Sequence, residues 1–173
     1  MSAALQTAAT AIARVEFLAD RSDAIPVVAN WLCDAWPEAT GNDPTAVARR
    51  LCGWCHRRVL PLGLVGCNPQ GGLLGFAALR RGTSPQGEPV TLLSALFVAP
   101  WARRRGTGRA LCAASREHAA RLGLSAMHLY TTDAEAFFRR LDWRFVCHAI
   151  TGSQARPRAA AFMQTAVDDD HGG

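Results

Sequence analysis

The spacing of apolar residues predicts one strand and two helices in the first third of the chain. A short apolar run at 14–19 precedes a polar turn, and the apolar residues of 24–35 then recur every three or four positions, which is the helical period. A Trp-Pro pair ends this helix. After a loop, Pro44 stands at a first helical position and opens a second helix that we expect to run to about Arg58.

From residue 60 onward the pattern becomes that of consecutive strands. Apolar runs at 60–66, 72–80 and 89–98 are separated by turn-forming stretches and predict three antiparallel strands. A helix at 107–122, ended by Gly123, follows an Arg- and Gly-rich turn. The remaining predicted elements are a strand at 126–132, a short helix at 134–141 and strands at 144–150 and 158–166. The order βααβββαβαββ indicates one mixed α/β structure.

The composition is that of a single compact domain. The chain has 173 residues, of which 49% are hydrophobic and 19% charged, and its mean hydropathy is +0.02. A chain of this size can fold without disulfides or a metal, and it is too apolar to be disordered. We expect one folded domain at 14–167, a flexible N-terminus at 1–13 and a disordered tail at 168–173.

The chain contains no lysine. All 19 basic residues are arginines, against 14 acidic residues, so the formal net charge is +5. Without lysine, a P-loop, Schiff-base or pyridoxal-phosphate chemistry and a lysine-dependent protein kinase are excluded. Because the arginines are spread along the chain and not concentrated in one tail, we expect no nucleic-acid partner.

No stretch is apolar over the 18 residues that a membrane-spanning helix needs, and no basic region precedes the apolar part of the N-terminus. We therefore expect a cytoplasmic protein with no membrane contact and with reduced cysteines. Cys52-x-x-Cys55-His56 matches a haem-attachment or redox motif, but it falls inside the second predicted helix, and we interpret both cysteines as helix thiols. We expect no haem, and no metal, because no second ligand pair has suitable spacing.

The segment 96–111 has the pattern of an anion-binding turn between a strand and a helix. The first N–H groups of a helix have no acceptor within the helix and lie at the positive end of its dipole. Gly106 and Gly108 would let a phosphate approach these groups closely, and arginines would add planar positive groups. These arginines are Arg103, Arg104, Arg105 and Arg109.

Two other nucleotide-binding motifs do not fit this segment. The dinucleotide pattern G-x-G-x-x-G/A requires a small residue where the chain has Leu111. A Walker A loop requires a lysine. The turn is therefore a candidate anion site of another kind.

The segment resembles motif A of the GCN5-related N-acetyltransferase (GNAT) superfamily, V-x-P-x-x-R-x-x-G-x-G/A. The matching positions are Val98, Pro100, Arg103, Gly106 and Gly108. Downstream, 134–143 is similar to the family's A-x-x-x-Y-x-x-x-G-[FW], and the order of elements agrees over 14–166. The resemblance implies the GNAT fold, an α/β (α+β) structure whose mixed, mostly antiparallel sheet splays between its fourth and fifth strands and is flanked by helices.

The resemblance also implies an activity. Members of the family transfer acetyl from acetyl-CoA, or another acyl group from its acyl-CoA cosubstrate, to an amine by direct attack in a ternary complex. For this chain we expect an N-acyltransferase acting on a primary amine of a small molecule or peptide. The alternative is a GNAT-fold sensor or binding module that binds CoA without turnover. Small members of the family often dimerise, and we expect a monomer or a homodimer.

The resemblance places the cofactor on two stretches of backbone. The pyrophosphate would lie on the amides of 104–109, which include Thr107, and the pantetheine would pair like a strand with Leu96, Phe97 and Val98. The N–H of Val98 would polarise the thioester carbonyl, as in an oxyanion hole. Thr131 occupies the position of an asparagine that contacts the cofactor in many members.

The chain departs from the family at both proton-transfer positions. Phe138 stands where many members have a tyrosine acid, and the single tyrosine, Tyr130, either replaces that acid from the preceding strand or packs. Ser94 stands on the strand where a glutamate base is common. Ser94 could hold a water that passes the proton on, with Asp34 or Glu38 as the receiver.

In the family, the acceptor pocket lies between the first two helices and the splayed strands. This nominates Trp31, Asp34, Trp36 and Glu38, whose rings and carboxylates would suit a cationic or aromatic amine. The alternative is that both tryptophans are core residues at the end of a helix.

Overall fold

The computed structural model describes residues 14–167, so the predictions for 1–13 and 168–173 lie outside the described residues. The strands are β1 Arg14–Phe17, β2 Leu62–Cys67, β3 Leu73–Thr83, β4 Pro89–Val98, β5 Ala126–Thr131, β6 Arg144–Ser153 and β7 Arg156–Ala166. The α-helices are α1 Ala24–Ala35, α2 Pro37–Thr40, α3 Pro44–Cys52, α4 Thr107–Arg121 and α5 Glu135–Arg139, and 3-10 turns lie at Leu18–Asp20 and Pro100–Ala102.

The seven strands form one sheet in the order β1-β2-β3-β4-β5-β7-β6. All neighbouring strands are antiparallel except β4 and β5, which are parallel. One core packs the apolar face of α4 against the sheet, and a second core packs α1 and α3 against the opposite face. The predicted mixed, mostly antiparallel α/β sheet flanked by helices is confirmed.

The sheet opens between β4 and β5, as expected. The two strands pair at a single position, Leu92 opposite His128. Further along β4, Ala95 and Leu96 together face the single residue Ala77 of β3, and Ala95 adopts a left-handed conformation with φ 53°. A bulge of this kind bends the strand that carries it and raises its local twist. It therefore turns the end of β4 away from β5.

The second predicted helix is too long. It ends at Cys52 and not at Arg58, because the chain turns to bring Trp54 into the core beside the sheet. The ring of Trp54 stacks on that of Phe76 with 6.4 Å between ring centres. The backbone carbonyl of Trp54 accepts a hydrogen bond from the N–H of Gly63 at 2.9 Å.

The interpretation of the cysteine motif as two helix thiols is wrong for Cys55, for the same reason. Cys52 is the last residue of α3, and Cys55 lies beyond the helix. Both are free thiols in the structure. The Cys55 Sγ donates to the carbonyl of Leu51 at 3.5 Å.

The helix α2 was not predicted. The Trp-Pro pair does end α1 at Ala35, but Pro37 then occupies the first turn of α2, where a proline costs no hydrogen bond. Gly41, with φ 67°, ends α2 after one turn. This extra turn places Trp36 and Glu38 beside the open end of the sheet.

Candidate active site

The turn after β4 is held in place by its own arginine. The Nε of Arg103 donates a hydrogen bond to the carbonyl oxygen of Val98 at 3.0 Å, and its guanidinium carbon lies 5.8 Å from the centre of the Phe97 ring. The two residues that reverse the chain are in left-handed conformations, Arg104 with φ 60° and Gly106 with φ 84°. The turn therefore leads directly from the open edge of β4 into the first turn of α4.

The two glycines of the turn have different surroundings. A Cβ added at Gly106 would meet no atom within 4 Å, so this glycine borders open space, as an anion site requires. A Cβ added at Gly108 would lie 3.1 Å from the Cζ atom of Phe137. The missing Cβ of Gly108 therefore leaves room for the Phe137 ring of α5. The sequence argument that this missing Cβ leaves room for a phosphate is wrong, because the Cβ would point at that ring.

The start of α4 has the charge and exposure of an anion site. Arg104, Arg105 and Arg109 are exposed, and within residues 14–167 none of them forms a hydrogen bond or an ion pair. The first turn carries no acidic residue, and Gly106 supplies no capping side chain. Thr107 is buried, and its hydroxyl donates to the carbonyl of Ala102 at 3.4 Å, which ties the first residue of α4 to the turn before it.

The end of β4 has one unpaired edge. Leu96, Phe97 and Val98 are half-buried, and among the described strands β5 pairs with β4 only at Leu92. Their backbone on the β5 side is therefore open to an extended ligand. The hydroxyl of Thr131 accepts the N–H of Ala134 at 3.0 Å, so this side chain already stabilises the turn after β5.

Aromatic rings gather over the end of β4. Trp31 stacks on Phe97 with 5.3 Å between ring centres, and Trp36 meets Phe97 edge-on at 6.4 Å. Trp101 meets Trp31 at 6.2 Å and is 57% exposed. Trp36 is 38% exposed, so it is not a core residue. The sequence analysis missed Trp101, although its position within motif A is the signal that could have found it.

The two nominated carboxylates differ in their contacts. Glu38 accepts hydrogen bonds from Arg156 at 2.5 Å and from Arg158 at 3.5 Å, and the bond from Arg156 is the main cause that lowers the pKa of Glu38. The pair joins α2 to the β6–β7 hairpin and holds Glu38 as a carboxylate, which makes it a weak base. Asp34 is exposed, and its carboxylate forms no hydrogen bond or ion pair with the rest of 14–167.

Tyr130 and Ser94 lie on the two strands that part, and each already has a partner. The Tyr130 hydroxyl donates to the carbonyl of Thr83 at 2.7 Å, and its ring packs on Phe162 at 4.8 Å. Burial raises the pKa of Tyr130. The Ser94 oxygen accepts a hydrogen bond from the Nε of Arg80 at 3.2 Å. These contacts favour the packing interpretation of Tyr130.

Phe138 is buried at the position of the family's acid. Only 7% of its surface is exposed, and its ring meets Trp143 edge-on at 5.7 Å. The side chain therefore belongs to the core between α5 and the sheet and has no proton to donate.

An open cavity of about 540 Å³ lies beside Tyr130 and Arg80, and the sequence analysis missed it. Its walls come from the end of β3, from the first half of β4, from β5 and from β6, with Leu92, Ala149 and Ile150 as the apolar part. None of the residues that line it is acidic. The signal in the sequence is weak, because the lining residues are spread over 80–151.

Two further features of residues 14–167 bear on the site. No group of three or more His, Cys, Asp or Glu side chains is placed to hold a metal ion. No helix in this part of the chain is long and apolar enough to cross a membrane.

The sequence profile of the acetyltransferase (GNAT) family matches residues 25–143. Among solved structures, a ribosomal-protein-alanine N-acetyltransferase from Brucella melitensis is similar with a TM-score of 0.70 and 18% identity, over 89% of this chain and 99% of that chain. An aminoglycoside 6'-N-acetyltransferase complexed with coenzyme A gives 0.69 and 14%, over 90% and 98%. The protein yncA from Salmonella typhimurium with its cofactor acetyl-CoA gives 0.68 and 19%, over 92% and 96%.

At these identities, likeness to solved structures establishes the fold alone. Among curated proteins, none is similar enough in sequence to count as a match. The profile covers more than half of the chain and includes both motifs of the resemblance. The chain belongs to the acetyltransferase (GNAT) family.

Proposed function

We propose that the protein is an N-acetyltransferase that uses acetyl-CoA, or another acyl-CoA, and a primary amine. The observation that carries the proposal is the start of α4, where Gly106 borders open space beside three unpaired arginines. This arrangement fits a pyrophosphate, because free helix N–H groups and guanidinium groups both bind phosphate oxygens. The unpaired edge of β4 fits the amide-containing pantetheine.

Each stretch of backbone has a defined task in this proposal. The amides of 104–109 bind phosphate oxygens, and the backbone of Leu96–Val98 orients the thioester. The N–H of Val98 donates to its carbonyl oxygen and stabilises the negative charge that develops there. Arg103 keeps the two stretches in their relative position through its hydrogen bond to Val98.

Bound acetyl-CoA would supply the thioester. The amine nitrogen would form a bond to the thioester carbonyl carbon, and the bond from that carbon to sulfur would break. The electron pair of the broken bond would leave on sulfur. The amine loses one proton, and the thiolate gains one. Because the Tyr130 proton is committed to Thr83 and Glu38 is paired, both protons are exchanged with water. Ser94 holds the water on the amine side, since its oxygen accepts from Arg80 and its own hydrogen remains to be donated.

The acceptor approaches over the aromatic cluster of Trp31, Trp36, Phe97 and Trp101. These rings lie where β4 leaves β5, and the exposed faces of Trp36 and Trp101 are open to solvent. The names of the similar structures include an enzyme for a ribosomal-protein alanine and one for aminoglycosides. Because proteins of nearly equal structural similarity differ in acceptor, the fold does not identify the acceptor of this chain.

A second function, a CoA-binding sensor, is favoured by one observation. Phe138, Ser94 and Tyr130 leave the two usual proton-transfer positions without a free acid or base. A protein with this site could bind the cofactor and not turn it over. Loss of general-acid help costs typically about 10²- to 10⁴-fold, which is compatible with a slow enzyme as well.

Calorimetric titration with acetyl-CoA and CoA, followed by a thiol-release assay against a panel of amines and short peptides, distinguishes these functions. Binding with amine-dependent CoA release supports the acetyltransferase. Binding without release across the panel supports the sensor. Absence of binding contradicts both, because both depend on the start of α4. A cytoplasmic location, and a monomer or homodimer, stay predictions.

A further inference from the structure

Arg80 is the charged residue of the open cavity. Its side chain is half-buried, its Nε donates to Ser94 at 3.2 Å and its Nη1 donates to the carbonyl of Arg81 at 3.3 Å. Among the described residues it has no carboxylate partner. A guanidinium has five N–H donors, so most of them remain without a protein acceptor.

Two other arginines among residues 14–167 are half-buried. Arg21 is paired with both Glu16 and Asp23, whereas Arg116 donates to the carbonyl of Leu141 and the hydroxyl of Thr165 and does not line the cavity. Removing a positive charge partly from water is unfavourable unless a counter-charge compensates for it. Within residues 14–167 Arg80 has no such counter-charge, and an anionic ligand in the cavity would supply one.

The position of Arg80 relates the cavity to the proposed reaction. Ser94, its partner, lies one residue before the bulge at Ala95, where β4 turns away from β5. Tyr130 lines the cavity from the β5 side of the same opening. A ligand held by Arg80 therefore lies beside the split in the sheet that the proposed function assigns to the thioester.

The chemistry of the walls defines the rest of the ligand. Leu92 and Ile150 are apolar, and Ile150 is 73% exposed in the structure. An apolar group placed between them would be removed from water. A polyamine or an aminoglycoside would instead bring cationic groups to Arg80 with no acidic wall residue to receive them.

We propose that this cavity binds the carboxylate of the acceptor through Arg80, and that the acceptor is a small α-amino acid with an apolar side chain. The inference rests on the proposed acetyltransferase function for the role of the amine. The binding of a carboxylate by Arg80 is a separate property of the chain and can be measured without turnover. The cavity volume of about 540 Å³ lies in the range of small-molecule sites.

The test uses the full chain and three pairs of probes: the N-acetyl forms of leucine, methionine and phenylalanine, each with a free carboxylate and as the amide. Calorimetry with saturating CoA measures their affinities. We expect at least one carboxylate to bind about tenfold or more tightly than its amide, as for a charge-assisted hydrogen bond. Equal affinity within all three pairs would overturn the proposal.

Two variants locate the effect. Arg80→Gln abolishes the preference for the carboxylate, whereas Arg81→Gln, the matched change at the exposed neighbouring residue, retains it. Acetyl-CoA affinity and the melting temperature show that each variant is folded. Arg80→Lys keeps the charge and retains part of the preference. A carboxylate preference that survives in Arg80→Gln would also overturn the proposal.

Turnover then separates this inference from the proposed function. With the free amino acids as acceptors, Arg80→Gln raises KM by about tenfold and leaves the acetyl-CoA affinity unchanged. If the carboxylate preference is present but no amine releases CoA, the carboxylate site stands and the acetyltransferase proposal fails. If amines turn over with no carboxylate preference, the enzyme stands and this inference fails.

Discussion

The Nε of Arg103 donates a hydrogen bond of 3.0 Å to the carbonyl oxygen of Val98. This bond links the turn that joins β4 to α4 back to the last residue of β4. Among the four arginines of this turn, Arg103 is the one whose guanidinium is bonded to the protein's own backbone. The matching arginine of motif A therefore positions the turn, and the charge that faces solvent comes from Arg104, Arg105 and Arg109.

The free arginines should determine the electrostatic part of acetyl-CoA binding. The double variant Arg104→Gln/Arg105→Gln should bind acetyl-CoA about tenfold more weakly, because two charged partners of the phosphates are removed. Its affinity should also depend less on salt, since salt screens exposed charges. Calorimetry at low and high salt measures both effects.

The control is Arg49→Gln/Arg50→Gln, which removes two exposed arginines of α3 and the same net charge. This variant should bind acetyl-CoA like the wild type. Equal losses in both double variants would mean that overall charge, and not the turn after β4, attracts the cofactor.

Tyr130 should be a structural residue. In Tyr130→Phe the ring still packs on Phe162, and the hydrogen bond to Thr83 is lost, which should lower the free energy of unfolding by about 1 kcal/mol. The kcat should stay within about fivefold of the wild type. A fall in kcat of about 10²-fold or more, with the protein still folded, would instead identify Tyr130 as the acid.

Glu38 should not titrate during catalysis. Its pKa is lowered by Arg156, so it is a carboxylate throughout the neutral range, and Glu38→Gln should leave the pH profile of kcat/KM between pH 6 and 9 unchanged. The ion pair stabilises the fold above the usual pKa of glutamate, and this contribution is lost as the pH falls through the lowered pKa. The melting temperature of the variant should therefore depend less on pH in the acid range.

A shift of the alkaline or acid limb of that profile in Glu38→Gln would contradict this assignment. Asp34→Asn is the companion measurement, because the Asp34 carboxylate has no hydrogen bond or ion pair within 14–167. If Asp34→Asn changes the profile and Glu38→Gln does not, Asp34 receives the proton.

Much of the fold could be predicted from the sequence, because its elements have strong local patterns. The strand predicted at 89–98 agrees with the structure at both ends, and the helix predicted at 107–122 begins at Thr107 and ends one residue early, at Arg121. The end of the second helix could not be predicted, since it depends on the tertiary contact between Trp54 and Phe76 in the core. The helical spacing of the preceding residues gives no sign of it.

The candidate cofactor segment could be proposed from the sequence for a different reason: its glycines and arginines lie within one contiguous stretch, 103–109. The open cavity could not be predicted in this way. Its residues Arg80, Tyr130 and Ile150 come from three strands, β3, β5 and β6, that are far apart in the sequence. The partner of Glu38 lies 118 residues away, so no local pattern shows that its charge is already compensated.

Gly106 offers the most direct test of the proposed cofactor site. Its Cβ direction faces open space, and its φ of 84° is one that asparagine tolerates better than other residues with a side chain. Gly87, in the turn between β3 and β4, has the same φ of 84° and also has no atom within 4 Å of an added Cβ. Gly106→Asn and Gly87→Asn are therefore matched changes, and only the first occupies the space assigned to phosphate.

The decisive measurement is the calorimetric titration of acetyl-CoA into the wild type and these two variants, with melting temperatures recorded for all three. The wild type and Gly87→Asn should bind with the same affinity. Gly106→Asn should remain folded and bind at least about tenfold more weakly. Its side chain would occupy the space in which a phosphate accepts hydrogen bonds from the N–H groups of α4. Binding to Gly106→Asn at the wild-type affinity, or no binding to the wild type, would contradict the account.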